Sequence, residues 1–237
     1  MKIALIGYGA MGKLIRTLAE EKGGEIVAVI DDADAGLSSS ALSERLRGSD
    51  VAIDFTTAEA VGRNVGACVA AGVPLVEGTT GWNDQREEIE HLVRDNIGAM
   101  VFGANFSIGV NLFYRIADFA AELFAKFPEY EAYIEEQHHS RKKDAPSGTA
   151  LKIKDIVAKH IAKDFSVSAT RAGNIPGTHR VGFDGPADQI LLEHTARSRE
   201  GFALGALMAA EWIVGKTGFY EFGDVMDEIL NGGTGEH

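Results

Sequence analysis

The sequence predicts an α/β fold: a Rossmann-like dinucleotide-binding domain, then a second α+β domain built on a mixed sheet. Three observations predict it. Apolar, β-branched runs alternate with helical periodicity up to about residue 106, the pattern of a parallel sheet covered on both faces. The first strand–helix junction reads Gly7-Tyr8-Gly9-Ala10-Met11-Gly12. After Ser107 the alternation gives way to a long amphipathic helix and strands of period two.

In chain order, Lys2–Ile6 is a compact apolar strand ending in the glycine turn, and a helix follows from Met11 to Glu21, with Met11, Leu14, Ile15 and Leu18 at helical spacing. Gly23-Gly24 stops it, and Glu25–Ile30 is a second strand closing on Asp31-Asp32. A Ser-rich, partly helical connection covers 35–46. Val51–Phe55 is the third strand, Ala58–Ala71 a helix, Pro74–Glu77 the fourth strand, Asp84–Asn96 a charged helix and Ala99–Phe102 the fifth strand. Each strand ends in small or polar residues, so the C-terminal edge of the sheet forms a groove, where open α/β sheets bind ligands. Then come a helix over Ile108–Phe127 stopped by Pro128, and an alternating strand over Glu129–Glu136 that delivers the chain to His138. A helix spans Gly148–Lys163, three strand-like runs cover Ser166–Thr170, His179–Phe183 and Gln189–His194, and a helix spans Phe202–Val214. The tail, Tyr220–Leu230, is a short element plus a helix that can return to the first domain, and Gly232–Gly235 is a frayed end. The expected domains are 1–106 with 215–237, and 107–214.

The 237 residues carry a net charge of −12 (23 basic minus 35 acidic), which argues against nucleic acid or an anionic membrane as partner. No apolar run reaches membrane-spanning length, and the opening strand is too short for a signal peptide. The single cysteine, Cys68, sits in a run that reads as a buried helix face and excludes an intrachain disulfide. These features place the chain in a reducing, cytoplasmic setting.

The glycine motif sits between strand and helix, the context that makes it specific. Gly7 permits the tight turn, Gly9 lets a pyrophosphate approach the backbone, and Gly12 lets helix and strand pack closely. Asp31, at the end of the second strand, is placed to accept hydrogen bonds from an adenosine ribose and to repel a 2′-phosphate. Asp32 adds a second charge with no nearby Arg to answer it, so the expected cofactor is NADH in preference to NADPH. Asp54-Phe55-Thr56, Gly78-Thr79-Thr80 and Ala104-Asn105-Phe106 end other strands and should line the same groove, with Asp54 equally readable as a structural carboxylate.

A basic stretch, Gln137–Ala150, concentrates positive charge in an acidic chain. His138 and His139 are adjacent, so on an extended backbone their rings point opposite ways, which argues against the pair as a metal site. Lys142 is close enough to share an anionic ligand with His138. Pro146 disfavours helix at Ala145, Ser147 is an N-cap, and Gly148 and Thr149 open a helix whose N–H groups, with the Thr149 hydroxyl, can hold a carboxylate.

The run His138-His139-x-x-Lys142-x-Asp144-Ala145-Pro146-Ser147-Gly148-Thr149-Ala150 resembles the signature of the 4-hydroxy-tetrahydrodipicolinate (dihydrodipicolinate) reductases of the diaminopimelate route to lysine. Gly7–Gly12, Asp54–Thr56, Gly78–Thr80, Ala104–Asn111 and Phe202–Ala206 extend the resemblance over nearly the whole chain. It implies that His138 is the catalytic acid/base and Lys142 the proton donor and carboxylate partner. It implies that His139, Gly148 and Thr149 bind a small dicarboxylate. It assigns NADH or NADPH to Gly7, Tyr8, Gly9, Ala10, Met11, Gly12, Asp31, Gly78, Thr79, Thr80, Gly103, Ala104, Asn105 and Phe106. It also implies a homotetramer joined through the second-domain sheets. Three places depart from the family pattern: the first glycine loop is shorter than the Gly-x-x-Gly-x-x-Gly of many members, Asp32 stands where some members carry an Arg, and 171–179 reads Arg-Ala-Gly-Asn-Ile-Pro-Gly-Thr-His. Another two-domain NAD-linked dehydrogenase, such as an amino-acid dehydrogenase, shares the glycine loop without needing the His-His to Gly-Thr run. A non-catalytic dinucleotide sensor needs no proton donor. Which of His138 and Lys142 protonates the substrate is not legible in the sequence.

Overall fold

In a computed structural model, which describes residues 1–232, the chain divides by internal contact into two units: Met1–Ser107 joined by the segment from Phe202 on, and Ile108–Gly201. The expected end, Gly232–Gly235, lies outside the described residues beyond Gly232, which closes the last helix.

The first unit holds a six-stranded parallel sheet in the order β10-β5-β4-β3-β1-β2, from β1 (Lys2–Ile6), β2 (Glu25–Ile30), β3 (Val51–Asp54), β4 (Leu75–Glu77), β5 (Ala99–Phe102) and β10 (Gly218–Glu221). Its helices are α1 (Ala10–Glu21), α2 (Ser39–Leu46), α3 (Ala58–Ala71), α4 (Arg86–Asp95), α7 (Glu200–Ile213, grouped here from Phe202) and α8 (Phe222–Gly232). The strands are continuous apolar runs because helices cover both faces; all of β3 and β4 is buried. Residues 202–214 differ from the expected boundary and group with this unit. The reason is close packing: a Cβ at Gly205 would lie 1.8 Å from the Phe106 carbonyl oxygen, so only glycine lets α7 approach there.

The second unit holds a four-stranded mixed sheet in the order β7-β6-β8-β9, from β6 (Glu131–His138), β7 (Ser166–Arg171), β8 (Thr178–Asp184) and β9 (Gln189–Thr195). β6 runs parallel to β7 and antiparallel to β8. Helices α5 (Ile108–Phe124) and α6 (Gly148–Ala158) share a core with Ala132, Ile134, Val181 and Phe183. Both helices end before their predicted limits. Turn hydrogen bonds from Lys126 to Leu123 and from Phe127 to Phe124 replace the last turn of α5 ahead of Pro128. Alternation decides what β6 points inward: Ala132, Ile134 and Glu136 are buried, and His138 follows on the same side. Among the described residues, no helix is long and apolar enough to cross a membrane.

Candidate functional site

In the first unit the ends of β1, β3 and β4 build a cradle. Gly7 has φ +89°, and a Cβ there would sit 2.4 Å from the Phe55 carbonyl oxygen, so the turn after β1 requires glycine twice over. A Cβ at Gly12 would lie 2.2 Å from the Gly7 oxygen, which is the close helix–strand approach the motif implies. A Cβ at Gly9 would meet nothing within 4 Å. Gly9 caps α1 without a side-chain hydrogen bond, and the first turn, which opens with Ala10 and Met11, carries no acidic residue. Open N–H groups on an uncharged turn fit a pyrophosphate. Tyr8 stands beside it, its hydroxyl accepting from Arg16 (3.2 Å).

The other predicted cofactor residues divide into a surface and a support. Thr80 and Ala104 are exposed, and Gly78, Gly103 and Asn105 half-buried. Thr79 is buried and structural: its hydroxyl accepts the Thr56 N–H (3.0 Å) and its own N–H donates to Glu77 Oε1 (2.7 Å). Phe106 is 2% exposed and packs against Phe222 and Phe55, so its side chain props the turn from below. Asp31 is exposed at the end of β2, with Oδ1 accepting the Ala33 N–H (2.9 Å) in a capping box with Asp34. Arginines distant in sequence reach the residues that follow Asp32 in this turn. The fold brings Arg45 onto Asp34 and the Val29 carbonyl, and Arg63 onto the Ala35 carbonyl. Neither is near the turn in sequence, which is why the linear reading missed them.

In the second unit the site is organised around Glu136, which sequence reasoning passed over. Its side chain has no exposed surface. Oε1 accepts from Arg171 Nη2 (2.6 Å) and the Ser147 N–H (2.9 Å), and Oε2 lies 2.8 Å from His138 Nδ1. That last contact lies off the ring's N–H direction, so it is a close polar contact and not an aligned hydrogen bond. Burial alone would raise the Glu136 carboxyl, but the hydrogen bonds from Ser147 and Arg171 outweigh it and hold the group below the usual range. His138 is pushed down by burial, against the pull of Glu136 and with further help from Lys142 and Arg171. It is therefore a neutral imidazole at neutral pH. His179, the register partner of Glu136 across β6 and β8, is pushed down to about 4, mainly by burial, and lies 3.2 Å from Ser147 Oγ.

The other predicted residues gather on the same stretch. Lys142 is half-buried and pairs with Asp144 (2.9 Å). His139 begins the turn, its carbonyl accepting the Lys142 N–H (3.1 Å). Ser147 caps α6 through the Ala150 N–H (3.2 Å), the Ala145–Pro146 peptide is cis, and the first helical turn holds no acid. A Cβ at Gly148 would meet nothing within 4 Å, which leaves the helix start open to an anion. Thr149 is engaged with the Tyr114 hydroxyl, whose pKa burial pushes up to about 12. The divergent 171–179 segment supplies both Arg171 and His179, and a Cβ at its Gly177 would lie 3.0 Å from His138 Nε2. The strand period was the available signal for Glu136, two residues before His138; Arg171 and His179 required the strand pairing.

The reading that excluded a metal on the His138–His139 pair needs one amendment. Donor atoms of Glu136, His138 and His179 lie within 4.8 Å of one another. Arg171 already answers the one carboxylate, so the cluster is charge-balanced by the protein's own groups.

Comparison with known proteins gives a consistent result. Residues 1–106 match the family described as dihydrodipicolinate reductase, N-terminus, and residues 109–226 the corresponding C-terminus. A 4-hydroxy-tetrahydrodipicolinate reductase from Christiangramia forsetii is 35% identical over 97% of this chain and 99% of its own length. One from Archaeoglobus fulgidus is 35% identical over 96% and 100%. Among solved structures, the dipicolinate-bound dihydrodipicolinate reductase of Paenisporosarcina sp. TG-14 has the same fold, with TM-score 0.78 at 24% identity over 95% of this chain and 99% of that one.

Proposed function

The chain belongs to the dihydrodipicolinate reductase family, and on that footing we propose that it reduces 4-hydroxy-tetrahydrodipicolinate to tetrahydrodipicolinate with NAD(P)H, losing water, on the diaminopimelate route to lysine. The supporting observation is the cluster at the end of β6: neutral His138 on a buried carboxylate, Lys142, and the open start of α6, all within one short stretch. A cyclic imine with two carboxylates needs an anion site, a proton acceptor and a proton donor. Gly148 and Thr149 N–H groups receive one carboxylate, and His139 and Lys142 bind around it. Loss of the ring hydroxyl with a ring proton, as water, leaves a conjugated imine; one hydride and one proton complete the product. Bound NAD(P)H supplies the hydride. Neutral His138 has the lone pair to take a proton, and Lys142, held against Asp144, is the cation that gives one.

The residues assigned to the dinucleotide are Gly7–Gly12, Asp31, Gly78–Thr80 and Gly103–Phe106. The acidic turn at Asp31 favours NADH, and Arg45 and Arg63 beside it make that preference modest and dual use expected. The proposal includes a cytoplasmic homotetramer. An exposed apolar stripe on α5 (Leu112, Ile116, Phe119, Leu123) supports self-association, and a monomer mass by light scattering would remove that part. The decisive test is oxidation of NADH and NADPH with the imine made in situ by the preceding synthase. Absence of turnover with either cofactor sinks the assignment. Unimpaired turnover in His138→Ala and Lys142→Ala sinks the roles alone.

A further inference from the structure

We propose that Glu77 and Asp54 hold one proton between them at neutral pH, and that this shared proton locks together the two turns that carry the dinucleotide, making Glu77 a positioning residue for cofactor binding. The inference rests on the reading of those turns as part of the dinucleotide site.

Asp54 ends β3 and Glu77 ends β4, and they are register partners in a parallel pair, so both side chains leave the sheet on the same face. Neither has any exposed surface. Three of their four oxygens have donors. Asp54 Oδ1 accepts from the Thr56 hydroxyl (2.7 Å), Asp54 Oδ2 from Asn64 Nδ2 (2.7 Å), and Glu77 Oε1 from the Thr79 N–H (2.7 Å). The fourth, Glu77 Oε2, has no donor among the described residues, and the group that Glu77 meets is the Asp54 carboxylate. Two facing carboxylates in a dry site cannot both ionise. A proton on Glu77 Oε2 turns the repulsion into a charge-assisted hydrogen bond and gives every oxygen a partner.

The surroundings agree. Asn64 is itself held by Arg63, whose Nε and Nη2 donate to its Oδ1 at 3.0 and 2.9 Å, so the cation stands one residue removed from the pair. The other titratable group facing it, Cys68 on α3, is kept a neutral thiol by burial and by the two acids. Burial raises both carboxyls, and the Asp54 charge carries Glu77 well above the usual carboxylate range.

The consequence is mechanical. Glu77 anchors the Thr79 N–H, the Thr79 hydroxyl accepts the Thr56 N–H, and the Thr56 hydroxyl donates to Asp54. With the shared proton the ring closes, and the turns after β3 and β4 move as one. Phe55 extends the effect. Its ring packs where a Cβ at Gly78 would lie 2.2 Å away, and its carbonyl lies where a Cβ at Gly7 would lie 2.4 Å away.

Glu77→Gln separates a protonated acid from a carboxylate. The glutamine amide reproduces both bonds, with C=O toward Thr79 and N–H toward Asp54. The experiment is infrared spectroscopy of the cofactor-free protein at neutral pH, together with NADH and NADPH titration by fluorescence. Expected are a carbonyl stretch of a protonated carboxylic acid that disappears in Glu77→Gln, and NADH affinity in that variant within about twofold of wild type because the amide keeps both bonds. Glu77→Leu keeps neither bond and should lose roughly tenfold in affinity with the fold intact; unchanged affinity there means Glu77 positions nothing and overturns the proposal. Loss of roughly tenfold in affinity in Glu77→Gln, about 1.4 kcal/mol, with the fold intact by circular dichroism means a carboxylate is needed and overturns the proposal. So does a wild-type spectrum without that band. If the wild type binds neither NADH nor NADPH, the dinucleotide reading falls, while the infrared band still decides the shared proton.

Discussion

Glu77 and Glu136 are both completely buried at or near the C-terminal end of a strand, one in each unit, yet they meet opposite electrostatics. Glu136 is met by Arg171, the Ser147 N–H and His138, and stays ionised. Glu77 is met by a second carboxylate, with the Arg63 guanidinium engaged on Asn64, and keeps a proton. Burial costs an ion its hydration in both places, and the partners decide whether the charge survives. The anion at Glu136 can orient an imidazole. The neutral acid at Glu77 can only hold backbone in place, and we place the chemistry accordingly.

Substitution of each glutamate by its neutral isostere should therefore have unequal effects. Glu136→Gln removes the charge that holds His138 and leaves Arg171 uncompensated. The expected outcome is a fall in kcat of about 10²–10⁴-fold with KM little changed, the range set by a misoriented general base. Steady-state kinetics, with the His138 titration followed by NMR, checks it; a KM effect with kcat intact would make Glu136 a binding residue.

The pH dependence of stability sharpens the contrast because the groups act in opposite directions. His179 has its pKa lowered to about 4, so the folded state binds fewer protons than the unfolded chain below pH ~6.5. That contribution is present above pH ~6.5 and is lost as pH falls toward about 4, up to about 3 kcal/mol. Urea midpoints measured across pH 4–7 should rise with pH, and His179→Gln should flatten the rise. Glu77 is raised, so its contribution is present below the unfolded carboxyl pKa and declines as pH rises above ~4.5. The stability of Glu77→Gln relative to wild type should then grow by up to about 1.4 kcal/mol per pH unit. A constant difference would show that Glu77 is ionised like Glu136.

The smallest expected effect is on the far side of His138. Gly177→Ala puts a methyl about where Nε2 needs room, without backbone strain, since φ at Gly177 is not positive. We expect a kcat loss of about fivefold with unchanged thermal midpoint, a small misplacement of the acting group. Unchanged kcat would mean the imidazole is not confined on that side.

Much of this was legible in the linear sequence, for local reasons. The glycine turn, the strand–helix alternation and the Ser147 cap are patterns within a few residues, set by backbone sterics and periodicity, and the elements form near where those patterns place them. The illegible parts are non-local. Helices α5 and α6 end in turns their apolar periodicity does not announce. Residue α7 Gly205 groups its helix with the first unit through contact with Phe106. Arg45 and Arg63 reach the acidic turn after β2 only because α2 and α3 fold over it.

The sequence by itself determined which residues carry reactive groups and on which kind of element each stands: the histidines at a strand end, the open helix start, the glycines of the cradle. Only the tertiary structure decided what those groups are at neutral pH. Strand pairing set His179 and Arg171 around Glu136, and Asp54 beside Glu77. Secondary structure follows from sterics between near neighbours in the chain. The charge on a buried group follows from desolvation and from whichever donors the fold brings within about 3 Å of it.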